Sequence, residues 1–496
     1  MRLIGKIWIA AQLLCAILPS LRANDASSQI HQEKPTRVIF ILSDDHRYDY
    51  MGFTGKVPWL KTPNMDRMAA EGAYFRNAYV TTSLCSPSRA TILTGLYAHQ
   101  HTIVDNQAPN PGGLTYFPEY LQNAGYHTAF FGKWHMGDHS DAPQPSFDHW
   151  ESFTGQGVYY GPLLNINGEH IQYPDTVYTT DLLTEHTLNW MQAQPKDQPY
   201  FLYLSHKSVH AEFAPATRHQ GLYTKKQIDL PATFAQTSTD AYQALLWPEW
   251  VKQQRYSWHG VDFMYHEKRD FHEQVVNYCE TLLGVDDSIG RILDYLDAEG
   301  LADSTLVIYM GDNGFSWGEH GLIDKRHFYE ESAKVPLLMR YPAGINAGQT
   351  VDALTDNTDI APTILDYAEV PAPDYFVGQS MREVLNGTPP PDWRKEIYYE
   401  YYWEYDFPMT PTTFGIRDER YKYIRYHGIW DRNELYDLEN DPDEMHNLIE
   451  APEHQERIEA MAGRLYDWLE HSDGMQIPLK RTIKYRWGDY RHPNQY

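Results

Sequence analysis

The chain has 496 residues, of which 42% are hydrophobic and 22% are charged, and this balance excludes an intrinsically disordered protein. The length is too great for one small core and is typical of one large domain with a smaller appendage. The formal net charge of −26 excludes unaided binding to nucleic acid, because nothing offsets the repulsion by phosphate groups.

The N-terminus has the pattern of a secretory signal peptide. Two basic residues, Arg2 and Lys6, precede an apolar run at 7–18 that is too short to span a bilayer comfortably. The small residue Ala23 follows, so residues 1–23 are predicted to be cleaved off; the alternative is a buried N-terminal helix. No later stretch of the sequence is long and apolar enough for an integral membrane span. The protein is therefore predicted to be secreted or periplasmic.

Apolar runs alternate with helical patterns over the first 389 residues. Strands are predicted at 37–42, 128–131, 199–204 and 305–310. Helices are predicted at 63–72, 178–192 and 271–296, the first of them from a Thr-Pro start and a glycine end. This alternation predicts an α/β domain with a mostly parallel sheet between helices, assigned to residues 24–389.

The sequence changes in character after residue 389. Aromatic, alternating segments at 398–405, 413–417 and 421–426 predict an antiparallel sheet, and a helical pattern follows near 454–471. Residues 390–496 are therefore predicted to form a smaller C-terminal α+β subdomain.

Two pairs of polar residues follow predicted strands. Asp44 and Asp45 come after the first strand, and Asp312 and Asn313 come after the strand at 305–310. The carboxyl ends of parallel strands are where such sheets place their sites, so these side chains are expected to converge. Carboxylate and amide oxygens suit a hard cation such as calcium, whereas clustered carboxylates without a cation would raise one another's pKa. The alternative is two unrelated caps or turns.

Cys85 begins the run Cys-Ser-Pro-Ser-Arg. Cys-x-Pro-x-Arg is the signal by which type I sulfatases have their cysteine oxidised to formylglycine. The chain also contains other motifs in the order and approximate spacing of that family: Asp44-Asp45, Gly132-Lys133-Trp134-His135, His210, Asp312-Asn313 and Lys325. The chain therefore resembles a formylglycine-dependent sulfatase over nearly its whole length.

This resemblance implies an alkaline-phosphatase-like fold, one Ca²⁺ ion, and maturation by a formylglycine-generating enzyme or an anaerobic sulfatase-maturating enzyme. The implied metal ligands are Asp44, Asp45, residue 85, Asp312 and Asn313. Because thiolate is a soft ligand, an oxygen at position 85 would suit a hard cation better. The resemblance supplies a hydrated aldehyde there, of which one hydroxyl binds calcium and attacks sulfur. The alternatives are an unmodified cysteine nucleophile and a buried structural cysteine.

The resemblance also implies a set of cationic catalytic residues. Pro87 falls in the first turn of a predicted helix whose N–H groups would face an anion, and Arg89 follows with a permanent charge. The other members of the set are Lys133, His135, His210 and Lys325, with His206 as a less favoured rival of His210. By resemblance, these residues bind the sulfate, assist breakdown of the sulfated intermediate and protonate the leaving oxygen. Fixed positive groups at such a site stabilise the charge of the transition state.

The segment at 97–106 resembles a branch containing N-acetylglucosamine-6-sulfatases and bacterial polysaccharide sulfatases. It implies a sulfated oligo- or polysaccharide substrate, with ulvan among the polymers considered. Alternative functions are a glycosaminoglycan sulfatase, a phosphonate or phosphate monoester hydrolase of the same superfamily, and an inactive glycan-binding protein. Candidate sugar contacts, chosen from polar side chains near these motifs and near a Trp-rich insertion, are His101, Asp105, Arg218, His219 and His259.

Overall fold

The computed structural model of the chain describes residues 34–136, 140–235, 241–266, 269–387, 389–427 and 431–478. The predicted signal peptide at 1–23 lies outside these residues. No helix among the residues described is both long and apolar enough to cross a membrane.

The strands of this part of the chain fall into one large sheet, two strand pairs and one small sheet. Their bounds are β1 Arg37–Ser43, β2 Ala73–Phe75, β3 Ala78–Tyr79, β4 His127–Lys133, β5 His149–Phe153, β6 Leu163–Ile166, β7 Glu169–Gln172, β8 Tyr200–Ser205, β9 Thr305–Gly311, β10 Ser316–Trp317, β11 Ile323–Asp324, β12 Leu337–Arg340, β13 Gln349–Val351, β14 Thr355–Asp356, β15 Ile397–Tyr401, β16 Thr412–Arg417, β17 Tyr421–His427 and β18 Glu434–Asp437.

The helices pack on both faces of the large sheet or support the small one. Their bounds are α1 Pro63–Glu71, α2 Cys85–Thr94, α3 Ala98–His101, α4 Pro118–Asn123, α5 Thr179–Ala193, α6 Ala241–Leu245, α7 Glu249–Gln254, α8 Phe271–Ala298, α9 Glu330–Ala333, α10 Ile360–Tyr367, α11 Arg382–Leu385 and α12 Gln455–His471. The three helices predicted before residue 389 correspond to α1, α5 and α8.

The large sheet has the strand order β13-β2-β12-β9-β1-β8-β4-β5-β6-β7. Its centre, from β9 through β1, β8 and β4 to β5, is parallel, and antiparallel strands lie towards both edges. The four predicted strands are β1, β4, β8 and β9, and they all lie in this parallel centre. The predicted α/β class with a mostly parallel sheet is confirmed.

The central strand β1 shows why the runs are continuously apolar. Val38 and Phe40 enter a core cluster shared with α2, α10 and α12, whereas Ile39 and Ile41 enter a second cluster shared with α1, α5 and α8. Successive side chains of a strand point to opposite faces, so a strand covered on both faces must be apolar at every position. Burial of this surface stabilises the fold by about 25 cal/mol per Å² of apolar area.

The small sheet β15-β16-β17-β18 is antiparallel, as predicted, and the helix predicted near 454–471 corresponds to α12. The first predicted strand is wrong at its end, because β15 stops at Tyr401. Pro408 and Pro411 follow in the loop before β16, and proline has no N–H with which to continue a ladder. β18 lies outside the predicted strands.

The small sheet shares buried polar contacts with the large domain. The Nζ of Lys422 on β17 donates to the carbonyl oxygen of Phe328 at 2.8 Å and lies 2.8 Å from a carboxylate oxygen of Glu330. It also pairs with Glu444 at 2.7 Å. The two parts are therefore joined by buried ion pairs, and the domain boundary predicted at residue 389 stays a prediction.

Candidate active site

The register of the central strands brings the predicted acidic pairs together. Ser43, the last residue of β1, is paired with Gly311, the last residue of β9. The next residues are therefore neighbours: the backbone N–H of Asp312 donates to the carbonyl of Ser43 at 2.9 Å, and that of Asp45 donates to Oδ1 of Asp312 at 3.0 Å. Asp45 has a φ of 53°, in the left-handed region that aspartate tolerates better than most residues. The two acidic pairs therefore lie next to each other, as their positions at the ends of parallel strands predict.

These carboxylates form a buried cluster with the chemistry of a cation site. Oxygen atoms of Asp44, Asp45 and Asp312 lie within 4.8 Å of one another, and all three residues are fully buried. Asn313 donates its Nδ2 to Oδ1 of Asp45 at 2.8 Å, and its own Oδ1 is buried without a hydrogen-bond partner. An orphaned acceptor beside three carboxylates fits a hard divalent cation such as calcium.

The electrostatics of the cluster support the same assignment. Burial raises the pKa of Asp45 to about 7, and burial together with the charge of Asp44 raises the pKa of Asp312. Burial also acts to raise the pKa of Asp44, but Lys133, together with the other cations around it, outweighs burial and holds it well below its usual range. Without a cation, each of these carboxylates therefore disfavours the ionised form of its neighbours, and a bound cation would offset that repulsion.

Cys85 lies at the start of α2 with its Sγ 3.5 Å from Oδ1 of Asp44. It is fully buried, and its Sγ also forms a close group with Asp44 and His210. Burial, and then the negative charge of Asp44, raises the pKa of the thiol. A protonated thiol is neither a nucleophile nor a metal ligand, so the surroundings of Cys85 disfavour the unmodified-cysteine alternative.

Arg89 lies one turn into α2 and ties together the ends of three strands. Its Nε donates to Oδ2 of Asp312 at 2.9 Å, after β9. Its Nη1 donates to the carbonyl of Lys133 at 2.8 Å, at the end of β4, and to Oγ of Ser205 at 2.6 Å, at the end of β8. Arg89 is fully buried, so the guanidinium holds the carboxylate cluster in place from behind.

Two lysines approach the cluster from different strands. The Nζ of Lys133, at the end of β4, donates to Oδ2 of Asp44 and to Gln156. The Nζ of Lys325, directly after β11, donates to Oδ2 of Asp45 at 2.6 Å and lies 3.2 Å from Asp324. Both ammonium groups are buried beside carboxylates and close to Cys85.

Two of the predicted histidines lie at the same site. Nε2 of His210 lies 3.9 Å from Oδ2 of Asp45, and Nδ1 of His135 lies 3.5 Å from Oγ of Ser86, next to Cys85. Burial, and then the neighbouring lysines, lowers the pKa of both rings, which favours neutral imidazole. His206 is fully buried with its ring 3.0 Å from Ser288 of α8, so His210 is the histidine of this segment that reaches the site.

The small sheet supports the loop that carries Lys325. Arg326 donates its Nε to Glu404 at 2.8 Å, and Glu404 lies just after β15. Nε2 of His259 lies 2.9 Å from Oδ2 of Asp324 on the other side of the same loop. Both contacts are buried, so residues far along the chain position the lysine.

A cavity of about 720 Å³ opens beside His210. Its lining includes Gln156, Tyr159, Lys207 and Arg269, none of which the sequence reasoning selected. Two signals in the sequence pointed near them: Lys207 lies three residues before His210, and Arg269 ends the Trp-rich insertion at 223–269.

The predicted sugar contacts do not lie in the lining of this cavity. The positions of His101 and Asp105 do not support the prediction that they contact the sugar, because both side chains are fully buried. His101 lies 3.1 Å from Thr91 and accepts from the backbone of Ile103, and Asp105 accepts from the backbone of Gln107.

The other three predicted contacts are also missing from the lining of this cavity. Arg218 and His219 both pair with Asp287 of α8 at 2.7 Å, and Arg218 lines a separate depression. His259 is buried against Asp324, as described above. Their assignment to the sugar is therefore not supported by the positions of their side chains.

The fold and the site together define a hydrolase of anionic esters with an alkaline-phosphatase-like architecture. The sulfatase family model matches residues 36–370, and the model for the C-terminal part of N-sulphoglucosamine sulphohydrolase matches residues 318–471. The chain belongs to the sulfatase family, within its N-acetylglucosamine-6-sulfatase-like branch, and is a sulfuric ester hydrolase.

Individual relatives agree with this placement. The N-acetylglucosamine-6-O-sulfatase of Bacteroides thetaiotaomicron is 33% identical over 95% of this chain and 92% of its own length. The ulvan-active sulfatase of Formosa agariphila is 26% identical over 85% and 79%. A solved structure described as a complex with its substrate D-glucosamine-2-N,6-O-disulfate is 32% identical, with a TM-score of 0.78, and covers 90% of this chain and 100% of that chain.

Proposed function

We propose that the enzyme removes the 6-O-sulfate of glucosamine units in sulfated glycans, using a formylglycine at position 85 and one Ca²⁺ ion. The observation that carries this proposal is the position of Cys85, between buried carboxylate oxygens and the side chains of Lys133, Lys325 and His210. The 6-O position is supported by the two relatives that act on or bind 6-O-sulfated glucosamine.

The carboxylates of Asp44, Asp45 and Asp312, with Oδ1 of Asn313, would hold the calcium ion. Bound there, calcium would act as a Lewis acid beside residue 85. Oxidation of Cys85 by a maturating enzyme would supply a hydrated aldehyde, whose hydroxyl is a hard oxygen nucleophile where a thiol is not.

The chain's own residues supply the remaining chemistry. Lys133 and Lys325 would offset negative charge on the sulfonate oxygens, and their buried positions strengthen that effect because the local dielectric constant is low. His210 would donate the proton that goes to the leaving sugar oxygen. Its lowered pKa favours the neutral ring in the free site, so the negative charge of the bound sulfate ester would have to raise that pKa for the ring to carry the proton. His135, next to Ser86 and Cys85, would take a proton from the hydroxyl at position 85.

Either lysine is expected to contribute to turnover more than to folding. Lys133→Ala and Lys325→Ala should each lower kcat by roughly 10²-fold or more, because each removes a fixed charge from the transition state. The measurement is steady-state sulfate release, with the exposed Lys196→Ala as the control. Turnover at the wild-type rate would remove that lysine from the mechanism.

A second candidate substrate is ulvan, because the ulvan-active relative covers most of this chain. The test is a panel of N-acetylglucosamine 6-sulfate, glycosaminoglycan oligosaccharides, ulvan oligosaccharides, and matched aryl sulfate and aryl phosphate. The enzyme would be matured at Cys85 and supplied with calcium. Sulfate release from the 6-O-sulfated amino sugars is the expected result. Release from ulvan alone would select the second candidate, and faster hydrolysis of the aryl phosphate would contradict both.

The same proposal includes export of the enzyme to the periplasm or the medium, because the sequence at 1–23 has the pattern of a signal peptide. Sulfated polysaccharides are too large to enter a cell readily, so an exported enzyme would meet them directly. Edman sequencing or mass spectrometry of the secreted protein should show a mature N-terminus near residue 24.

A further inference from the structure

The segment after β8 carries a lysine that the mechanism above does not use. Lys207 is only 5% exposed, and the turn that follows it is closed by a hydrogen bond from the backbone N–H of His210 to the carbonyl of Lys207 at 3.0 Å. This segment is held against the carboxylate cluster, because the backbone N–H of Asp44 donates to the carbonyl of Ser208 at 2.9 Å. Lys207 is thus anchored beside the catalytic histidine.

Tyr159 holds the ammonium group of this lysine in place. The Nζ of Lys207 lies 4.6 Å from the centre of the Tyr159 ring, a cation–π contact. The hydroxyl of the same tyrosine donates to the carbonyl of His210 at 2.5 Å. One aromatic side chain therefore sets the positions of Lys207 and His210 relative to each other.

Lys207 differs from the other buried cations of the site in its charge partners. Arg89 pairs with Asp312, Lys133 with Asp44, and Lys325 with Asp45. Within the described part of the chain, no carboxylate lies at ion-pair distance from the Nζ of Lys207, whose aromatic partner carries no charge. A buried ammonium without a counter-ion is costly, and a bound anion would remove that cost. Burial, and then Lys133, lowers the pKa of Lys207 to about 8, as expected where the counter-ion is missing.

The cavity beside His210 is the place where such an anion would reach Lys207. Lys207 lines the cavity together with His210 and Arg269, whereas Lys133 and Lys325 do not. On the proposed function, Lys133 and Lys325 would therefore face the ester sulfate, and Lys207 would face the open space available to the sugar. Arg269 adds a second cation there, paired with Glu212, whose side chain is 70% exposed.

We propose that Lys207 is a specificity-determining residue that binds a second anionic group on the substrate, in addition to the ester sulfate. The inference rests on the proposed function and deepens it, since it selects sugars with two negative charges over sugars with one. An N-sulfate on the same ring and a carboxylate on the adjoining uronate share the required chemistry.

The test compares kcat/KM of the matured enzyme on three substrates: N-acetylglucosamine 6-sulfate, D-glucosamine-2-N,6-O-disulfate, and a disaccharide of a uronate with 6-O-sulfated N-acetylglucosamine. Wild-type enzyme is expected to prefer one of the two doubly charged substrates, which identifies the source of the second anion. Lys207→Met should lower kcat/KM on that substrate by about 10- to 100-fold, chiefly through KM, and change it less than about threefold on the monosulfate. Lys207→Arg should keep most of the preference.

Lys252→Met is the matched control, because the Nζ of Lys252 lies over the ring of Tyr242 at 5.4 Å, in the distant helix α7. It should leave all three values unchanged. Thermal unfolding reports whether Lys207→Met folds, and Lys207→Gln is a second neutral variant for the same comparison.

Two results would overturn the inference while leaving the proposed function standing. One is equal loss on all three substrates, which would place Lys207 on the ester sulfate itself. The other is wild-type enzyme that cleaves all three without preference. Wild-type enzyme that releases sulfate from none of them would overturn the proposed function, and the inference with it.

Discussion

Replacing Cys85 by alanine is expected to abolish sulfate release, with kcat falling by about 10⁴-fold or more, as when a covalent nucleophile is removed. Alanine fills most of the buried site and has no thiol that a maturating enzyme can convert to an aldehyde. Loss of activity should therefore come without loss of the fold. The measurement is free sulfate from a 6-O-sulfated amino sugar, beside intact mass to report the oxidation state of residue 85 in the wild-type enzyme.

The chain offers a matched control for this variant. Cys279 is as fully buried as Cys85, but it lies in the core on α8 and belongs to the apolar cluster of that face of the sheet. Cys279→Ala should cost about 1 kcal/mol of stability by loss of packing and leave kcat unchanged. Substantial turnover by Cys85→Ala, or wild-type protein that is active with an intact thiol at position 85, would refute the formylglycine mechanism.

Removing the cation is expected to have the second largest effect, and it should act on both activity and stability. The three buried carboxylates already pair with Arg89, Lys133 and Lys325, but the cluster still raises the pKa of Asp45 and Asp312. The unpartnered Oδ1 of Asn313 would gain a partner, and the carboxylates a further counter-charge, when the ion is bound. A ligand that binds only the folded state stabilises it by about 2.7 kcal/mol at 100 times its Kd. Chelation should therefore lower the unfolding temperature and stop turnover, and added calcium should restore both.

A variant separates this specific effect from general effects of chelators. Asp44→Asn should abolish the calcium-dependent rise in unfolding temperature, because it removes one ligand of the cluster. Asp352→Asn is the matched control, since Asp352 forms an exposed pair with Arg76 and should leave the rise unchanged. An unfolding temperature of the wild-type protein that does not depend on calcium would contradict the assignment of the site.

Much of the candidate site follows from patterns that are local in the chain. A strand buried on both faces must be apolar throughout, so β1 and β9 are visible as runs, and the polar residues that end them are visible as breaks. Parallel strands end at the same edge, which brings Asp44 and Asp312 together without further information. Cys85 and Arg89 fall on one short helix, so their relation also depends only on local structure.

The set of side chains that line the cavity beside His210 does not follow from local patterns. His101 is polar and close to the motif in sequence, yet the packing of α2 and α3 turns its ring into the core against Thr91. In the sequence, nothing separates Lys207 from the other basic residues. In the structure, the ring of Tyr159, from a distant segment, lies beneath its ammonium group. Whether a polar side chain faces a ligand depends on which other segments cover it, and burial is a property of the packed structure.

One physical reason separates the features that the sequence predicts from those that only the structure shows. Strand periodicity, motif order and the residues at strand ends depend on neighbours in the chain, and from these the fold class, the carboxylate cluster and Cys85 were already apparent. Exposure and charge pairing depend on contacts between distant segments, such as Lys325 with Asp45 and Arg326 with Glu404. Packing alone decided that Lys207 and Arg269 line the cavity, while His101, Asp105 and His259 are enclosed.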